Sequence, residues 1–212
     1  MTLQKEPPRR FLFFVMKLVG LTGSIGCGKS FLTRHLLTEN VPVIDTDDIS
    51  RELLVPGQPA FDLVKQMFGE DVCASDGSLN RQRLSRIVFN DHHSLKQLEQ
   101  ILHPRIREVW ENMVVQWDDR GVSFGVVVIP LLFETGVEKR FDKIIAMACS
   151  SKTQHARLIS RGWDESHIQK RLGAQLSLKH KVEASDFVIW TDATIVTTIM
   201  QWESIQRHLL AV

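Results

Sequence analysis

Cysteine is scarce: Cys27, Cys73 and Cys149 are the only three in 212 residues. An odd, widely spaced set with no Cys-x-x-Cys pair excludes a disulfide framework and a thiolate zinc site. A reducing cytoplasm is the simplest setting for such a chain. Charge of one sign is not in excess either. A formal net charge of +1 gives no electrostatic ground for a nucleic-acid partner. No apolar run reaches the roughly 20 residues that a membrane span needs. Internal repeats, low-complexity tracts and flexible linkers are also missing, which argues against a solenoid or a beaded chain.

The N-terminus resembles a secretory leader only superficially. Lys5 to Arg10 is polar and basic and Phe11 to Val15 is apolar, but Lys17 interrupts the run and no small-residue cleavage site follows. Residues 1–15 are expected to be a dispensable extension, with Met16 standing just before the first strand. Apolar residues make up 43% of the chain. That suffices for a real core in one domain of this length, with room for a small inserted subdomain.

Leu18 to Thr22 reads as a short buried strand and Gly23 to Gly28 as a glycine-rich turn. Lys29 to Glu39 carries Leu32, Leu36 and Leu37 at helical spacing, and Pro42 forbids its continuation. Val43 to Asp45 is a second strand. This strand–loop–helix–strand unit opens a parallel α/β sheet. The middle of the chain holds no strong strand. Helices are expected from Asp48 to Leu54 and from Ala60 to Phe68, and a turn at Asp76-Gly77. A mostly helical stretch follows from Arg81 to Trp117, which Pro104 should break or kink. Trp110, Met113 and Trp117 recur there at helical spacing and are expected in the core. Phe124 to Ile129 is a continuous β-branched run suited to a central parallel strand. Lys143 to Met147 and Phe187 to Trp190 are further strands. Ser151 to Gln154 has capping-box spacing, Asp164 should cap the next helix, and Ile195 to Leu210 is a terminal helix.

The chemistry starts at Gly23-Ser24-Ile25-Gly26-Cys27-Gly28-Lys29-Ser30, a Gly-x-x-x-x-Gly-Lys-Ser phosphate-binding loop. Its glycines let the backbone turn tightly, so that several N–H groups point at one anion. The following helix, through Phe31, adds its positive end. Lys29 can reach the β- and γ-phosphates, and the Ser30 hydroxyl can ligate Mg²⁺. Cys27 contributes mainly its N–H in this arrangement.

Asp45-Thr46-Asp47-Asp48 follows the second strand, at the sheet edge that also carries the loop. A kinase acting on a hydroxyl needs an acceptor for that proton. Asp47 is the candidate base, and Asp48 is expected to cap the helix that follows. Between Arg157 and Lys181 basic residues gather. A solvated helix face is the ordinary reading of such a run. Beside a phosphate-binding loop, Arg157 and Arg161 become candidates to meet transferring charge from a lid. His103-Pro104 interrupts the long helical block and can line an acceptor pocket. These residues specify a small-molecule kinase using ATP and leave the acceptor open.

Several segments, in order from about Lys17 to Leu210, resemble the dephospho-coenzyme A kinase family. Leu21 to Ser30 is similar to its phosphate-binding loop, and Val43-Ile44-Asp45-Thr46-Asp47 to its Val-Ile-Asp-Ala-Asp strand end. Asp76-Gly77-Ser78-Leu79-Asn80-Arg81 and Leu102-His103-Pro104 are similar to two marks of its acceptor-binding domain. Pro130-Leu131-Leu132-Phe133-Glu134 matches a family motif outright, and Arg171 to Gln175 is similar to its lid. Ser24 stands where the family has glycine and Cys27 where it has serine or alanine. Trp190-Thr191-Asp192-Ala193 replaces an Asn-rich turn.

The resemblance implies an α/β fold with a parallel five-stranded P-loop core, a helical acceptor domain and a helical lid. Core, acceptor domain and lid would occupy 16–56 with 119–150 and 185–212, then 57–118, then 151–184. It implies ATP and Mg²⁺, Asp47 as base, and an acceptor site including Arg81, His103, Pro104, Leu132 and Arg171. The implied reaction is phosphorylation of the ribose 3′-hydroxyl of dephospho-coenzyme A by a cytoplasmic monomer or small homo-oligomer. A nucleoside monophosphate kinase and a nucleotide-dependent switch are the rivals. The chain has no Asn-Lys-x-Asp guanine motif, which a GTPase switch would show.

Overall fold

The structure, a computed structural model, describes residues 16–210; the extension expected at 1–15 lies outside them. Five parallel strands form one sheet in the order β2-β3-β1-β4-β5. They are β1 (Lys17–Thr22), β2 (Val43–Asp45), β3 (Phe124–Val128), β4 (Lys143–Ala148) and β5 (Phe187–Trp190). Leu18 aligns with Gly125 of β3, and Gly20 with Ile144 of β4.

Alternation along the strands divides the core between the two sheet faces. Val19, Leu21, Val126, Val128 and Ile145 share one cluster with Leu32 and Leu36 of helix α1 (Lys29–Thr38) and with Trp202 and Leu209 of the terminal helix Ile195–Leu210. Leu18, Ile44, Val127 and Ile144 face the other way, towards Ile49 and Trp110. Full burial of each such side chain contributes about 1.5–3 kcal/mol. The register leaves no room for a side chain at residue 125, because a Cβ there would sit 2.4 Å from the Trp117 ring.

Between β2 and β3 lies the helical insertion. It runs through α2 (Thr46–Leu53), α3 (Pro59–Phe68), α4 (Arg81–Asn90) and α5 (His92–Asp119). A third apolar cluster, with Leu54, Val64, Leu84, Val88, Ile101 and Leu102, gives it a core of its own. The turn at Asp76-Gly77 forms as expected and joins Cys73 to Leu79 in an isolated antiparallel bridge. Helix α5 ties the insertion to the sheet: Ile101 and Leu102 belong to the insertion, Trp110 to the sheet face.

Three expectations need correction. Pro104 does not end the helix, since α5, 28 residues long in all, runs through it. Pro104 has no N–H to give the preceding turn, and in that turn the Arg105 guanidinium donates to the Ile101 carbonyl at 2.6 Å. Met113 points outward and is 36% exposed, while Trp110 is buried as expected. The helix over Ser151–Ser160, here α6, is capped by Ser150 rather than by Ser151. Helices α7 (Glu165–Gly173), capped by Asp164, and α8 (Leu178–Glu183) complete the 151–184 segment, and α9 is the terminal helix Ile195–Leu210.

Candidate active site

The glycine loop leaves β1 at the sheet's carboxyl edge, between β3 and β4. Gly23 has φ of 138°, and a Cβ on it would lie 2.3 Å from the Met147 carbonyl oxygen of β4. Only glycine satisfies both the conformation and the approach. Gly28 caps α1 with φ of 93° and no side-chain hydrogen bond, the arrangement that suits a helix N-terminus offered to an anion. Cys27 is fully buried, and its N–H donates to the Ser24 carbonyl at 3.3 Å. Ser24 does more than its N–H alone. Its hydroxyl donates to Gln175 Oε1 at 3.3 Å and accepts from Gln154 Nε2 at 3.1 Å, so this side chain ties the loop to α6 and to the segment after α7.

Lys29 Nζ donates to the carbonyls of Gly23 at 2.6 Å and Ser24 at 3.0 Å. Burial pulls its pKa down to about 8, and the nearby Lys181 charge acts in the same direction. Asp47 and Asp45 work the other way, which puts both carboxylates within electrostatic reach of the lysine.

At the end of β2 the capping expectation is overturned. Asp45, not Asp48, caps α2, accepting the Asp47 N–H at 2.9 Å. Asp48 instead pairs with Arg51 one turn on. The Thr46 hydroxyl donates to Val128 O at 2.9 Å and pins this turn to β3. Burial raises the Asp45 pKa. With its neighbours engaged in this way, Asp47 is exposed towards open space.

Two cavities meet there. One, of about 610 Å³, is lined by Gly26, Gly28, Lys29, Ser30, Phe31, Arg157, Arg161, Arg171 and Thr191. The other, of about 720 Å³, is lined by Thr46, His103, Pro104, Trp110 and Glu134. Both are in the size range of small-molecule sites. Asp47, Leu95, Glu99, Pro130 and Leu131 line both. Burial lowers the His103 pKa against the opposing Glu99 charge, which favours a neutral imidazole on the second cavity's wall.

The basic residues divide. Arg157 donates to the Thr191 hydroxyl at 2.7 Å, to the Thr191 carbonyl and to Gly26 O at 3.3 Å. Arg171 lies over the Phe89 ring at 4.3 Å and the Trp163 ring at 5.2 Å, and donates to Ser85 Oγ at 3.0 Å. Burial opposes its charge and the Asp47 carboxylate supports it. Helix α7 thereby reaches the insertion, with Lys170 Nζ also donating to Asn90 Oδ1 at 2.6 Å.

In the loop, Gly23, Ser24 and Cys27 line neither cavity, and two of the expected acceptor residues also stand apart from both. Leu132 is fully buried in the core, and it is Leu131 that lines the cavities. Arg81 donates to the Arg51 carbonyl at 3.1 Å. Sequence reasoning also passed over Lys181, which is fully buried and donates to Pro130 O at 2.6 Å and pairs with Glu134 at 2.8 Å. A lysine in a basic run gives no sign of burial in its sequence. Glu134 gave a signal as the end of the Pro130–Glu134 motif, without a partner to attach to it.

A family model described as dephospho-CoA kinase matches residues 17–197. A dephospho-CoA kinase of Bdellovibrio bacteriovorus is 39% identical over 174 residues, covering 82% of this chain and 87% of that protein. One from Bacillus cereus is 35% identical over 192 residues, 90% of this chain and 96% of its own. A solved structure from Thermus thermophilus superposes with a TM-score of 0.75 at 26% identity, over 92% of this chain and 98% of that one. A dephospho-CoA kinase structure from Campylobacter jejuni gives a TM-score of 0.67 at 22% identity, over 93% and 99%, a likeness of fold. By the extent of these matches, and by the loop and strand-end motifs already described, the chain belongs to the dephospho-CoA kinase family.

Proposed function

We propose that the chain transfers the γ-phosphate of ATP to the ribose 3′-hydroxyl of dephospho-coenzyme A, yielding coenzyme A and ADP. The observation that carries this reading is Asp47, whose carboxylate lines both the phosphate-loop cavity and the insertion cavity. A phosphoryl group passing between two substrates needs such a junction, with the reacting atoms held in line.

In this reading the cavity of the loop takes ATP. Backbone amides from Gly23 to Phe31 surround its phosphates, and Lys29 turns from the Gly23 and Ser24 carbonyls to the β- and γ-oxygens. Asp47 orients the acceptor hydroxyl and takes its proton. Arg161 and Arg171 meet the charge that spreads over the equatorial oxygens, while Arg157 holds Thr191 against the loop. His103, Pro104 and Leu131 shape the acceptor side. Residues 57–118 act as the acceptor domain, and α7 with its flanks covers the junction.

Ser30, on the wall of the loop cavity, offers a hard hydroxyl oxygen that fits Mg²⁺ completed by phosphates and water. When bound, the ion neutralises phosphate charge. Among the described residues no helix is long and apolar enough to cross a membrane. We propose a cytoplasmic enzyme, a monomer or small homo-oligomer, without a nucleic-acid partner.

The test is an acceptor screen at saturating ATP and Mg²⁺. Turnover with dephospho-coenzyme A far above that with nucleoside monophosphates is the expected result. Preference for a nucleoside monophosphate would overturn the acceptor and leave the kinase chemistry standing.

A further inference from the structure

Two of the three cysteines, 122 positions apart in sequence, meet beneath the phosphate-binding loop. Cys27 lies inside the loop and Cys149 just past the end of β4, and their sulfurs are 3.7 Å apart. Both are free thiols, 0% and 2% exposed. The loop's approach to β4 makes the meeting possible, since Gly23 lies against the Met147 backbone only two residues before Cys149. The Gln154 amide also reaches the Cys27 sulfur, at 3.8 Å.

We propose that Cys27 and Cys149 form a reversible oxidation site, in which a hydroperoxide joins them as a disulfide and switches off the nucleotide site. The loss of nucleotide binding rests on the kinase reading above; formation of the bond does not.

The chemistry assigns a role to each sulfur. Cys149 is the nucleophile. Hydrogen bonding with Cys27 and the nearby Arg157 charge bring its pKa down to about 7, against the opposing effect of burial. Both effects favour the thiolate at this sulfur over the Cys27 sulfur. The Cys149 thiolate attacks the terminal peroxide oxygen: an S–O bond forms, the O–O bond breaks, and the alcohol or water leaves with a proton. The Cys149 sulfenic acid is then within reach of Cys27 alone among the cysteines of the described residues, because Cys73 sits in the helical insertion. The Cys27 sulfur attacks the Cys149 sulfur, the S–S bond forms, the S–O bond breaks, and the Cys27 proton leaves with the hydroxide as water. Two thiols are oxidised and one peroxide is reduced. A dithiol reductant reverses the change through a mixed disulfide.

The consequence follows from geometry. A disulfide needs about 2.05 Å between sulfurs, so the two must close from 3.7 Å. Cys149 directly follows a central strand packed between β1 and β5, whereas Cys27 belongs to a loop. Closure therefore draws the loop backbone towards β4. The Cys27 N–H is one of the amides expected to cradle phosphate, and the neighbouring Gly26 and Gly28 line the nucleotide cavity. A loop held in that position no longer presents its amides to one anion.

The experiment treats the full chain with a small excess of hydrogen peroxide at pH 7.5 and traps remaining thiols by alkylation. Peptide mass spectrometry is then set beside ATP-binding calorimetry. A Cys27–Cys149 cross-linked peptide, lighter by two hydrogen atoms, is expected. ATP affinity should fall about tenfold or more through loss of the amide cradle, and dithiothreitol should restore it. Saturating ATP should slow the cross-link by holding the loop in place. Cys149→Ser should bind ATP normally and keep its affinity under peroxide; Cys149→Ala is the second variant if the serine is poorly tolerated at so buried a position. Recovery of both thiols unmodified, sulfinic acid at Cys149 without a cross-link, or a cross-link with unchanged ATP affinity would each overturn the proposal.

Discussion

Arg157 spans from α6 to the strand β5 exit, donating to the Thr191 hydroxyl at 2.7 Å and also to the Thr191 carbonyl, while its other contact is the Gly26 carbonyl of the phosphate-binding loop. Thr191 itself donates to the Cys27 carbonyl at 3.3 Å. One guanidinium thus braces the loop from the cavity wall. Arg161, four residues on, is exposed and lines the same cavity.

The two arginines should therefore separate on mutation, although sequence gave them one role. Arg157→Ala is expected to weaken ATP binding and lower stability by about 1.5–3 kcal/mol, as for loss of hydrogen bonds to a charged group. Arg161→Ala should leave stability and ATP affinity nearly unchanged and reduce kcat. Denaturant melts, ATP titrations and steady-state kinetics on both variants check this. Equal effects of the two substitutions on stability would refute the division.

Lys29 predicts a pH dependence of nucleotide affinity. Its pKa of about 8 is set by burial and Lys181, and opposed by Asp47 and Asp45. Bound phosphates favour the charged form and raise that value. Affinity is then fully present below pH 8 and falls above it, by at most about tenfold per pH unit. The stability contribution has the opposite sense. The unfolded lysine titrates near 10.4, so between pH 8 and that value the unfolded chain holds more protons, and this group's contribution to stability rises with pH. Calorimetric ATP titrations from pH 7 to 9.5 test the first statement. Lys29→Met should bind ATP weakly with a flat profile and have almost no turnover; an unchanged slope in that variant would assign the titration elsewhere.

Lys181, fully buried, forms an ion pair with the partly buried Glu134 on the wall of the insertion cavity. Lys181→Met keeps the volume and removes the charge, leaving Glu134 without its cation and the Pro130 carbonyl without its donor. Breaking one side of such a pair typically costs about 3–5 kcal/mol. A fall in melting temperature of that weight is expected, with a parallel drop in kcat/KM because Pro130 and Leu131 line both cavities. The double variant Lys181→Met with Glu134→Gln should recover part of the stability. A neutral single variant would mean that the pair is not a support.

Asp47→Asn should lower kcat by about 10²–10⁴-fold, the usual range for loss of a general base, while ATP and dephospho-coenzyme A still bind. Asp45→Ala should cost stability of about 1 kcal/mol as a lost cap, and Asp48→Asn little of either. Rates and affinities for all three under one set of conditions decide the assignment. An active Asp47→Asn enzyme would remove Asp47 from the chemistry.

Much of this was legible locally. The loop between β1 and α1 was readable because glycine spacing, a strand before it and a helix after it each carry their own signal. The β3 run Phe124–Val128 declared a central strand by its unbroken apolar character. Short-range errors arose where competing caps lay side by side. In Asp45-Thr46-Asp47-Asp48 every residue is a plausible cap, and the hydrogen bond from the Asp47 N–H to Asp45 is a choice made by the direction in which β2 ends. At Pro104 the rule that proline breaks a helix yielded to apolar packing on both sides of it.

The sequence by itself determined the phosphate-binding loop, the order of strands and helices along the chain and the family. These rest on glycine, proline, β-branched runs and fixed spacings, all of them properties of neighbouring residues. Only the tertiary structure decided that Asp47 opens on both cavities, that Leu131 rather than Leu132 lines them, and that Lys181 is buried against Glu134. It also brought Cys27 to Cys149. Each of these joins positions far apart in the chain or selects one face of a turn, and the parallel crossovers that stack β1 between β3 and β4 settle them by packing, which no local pattern encodes.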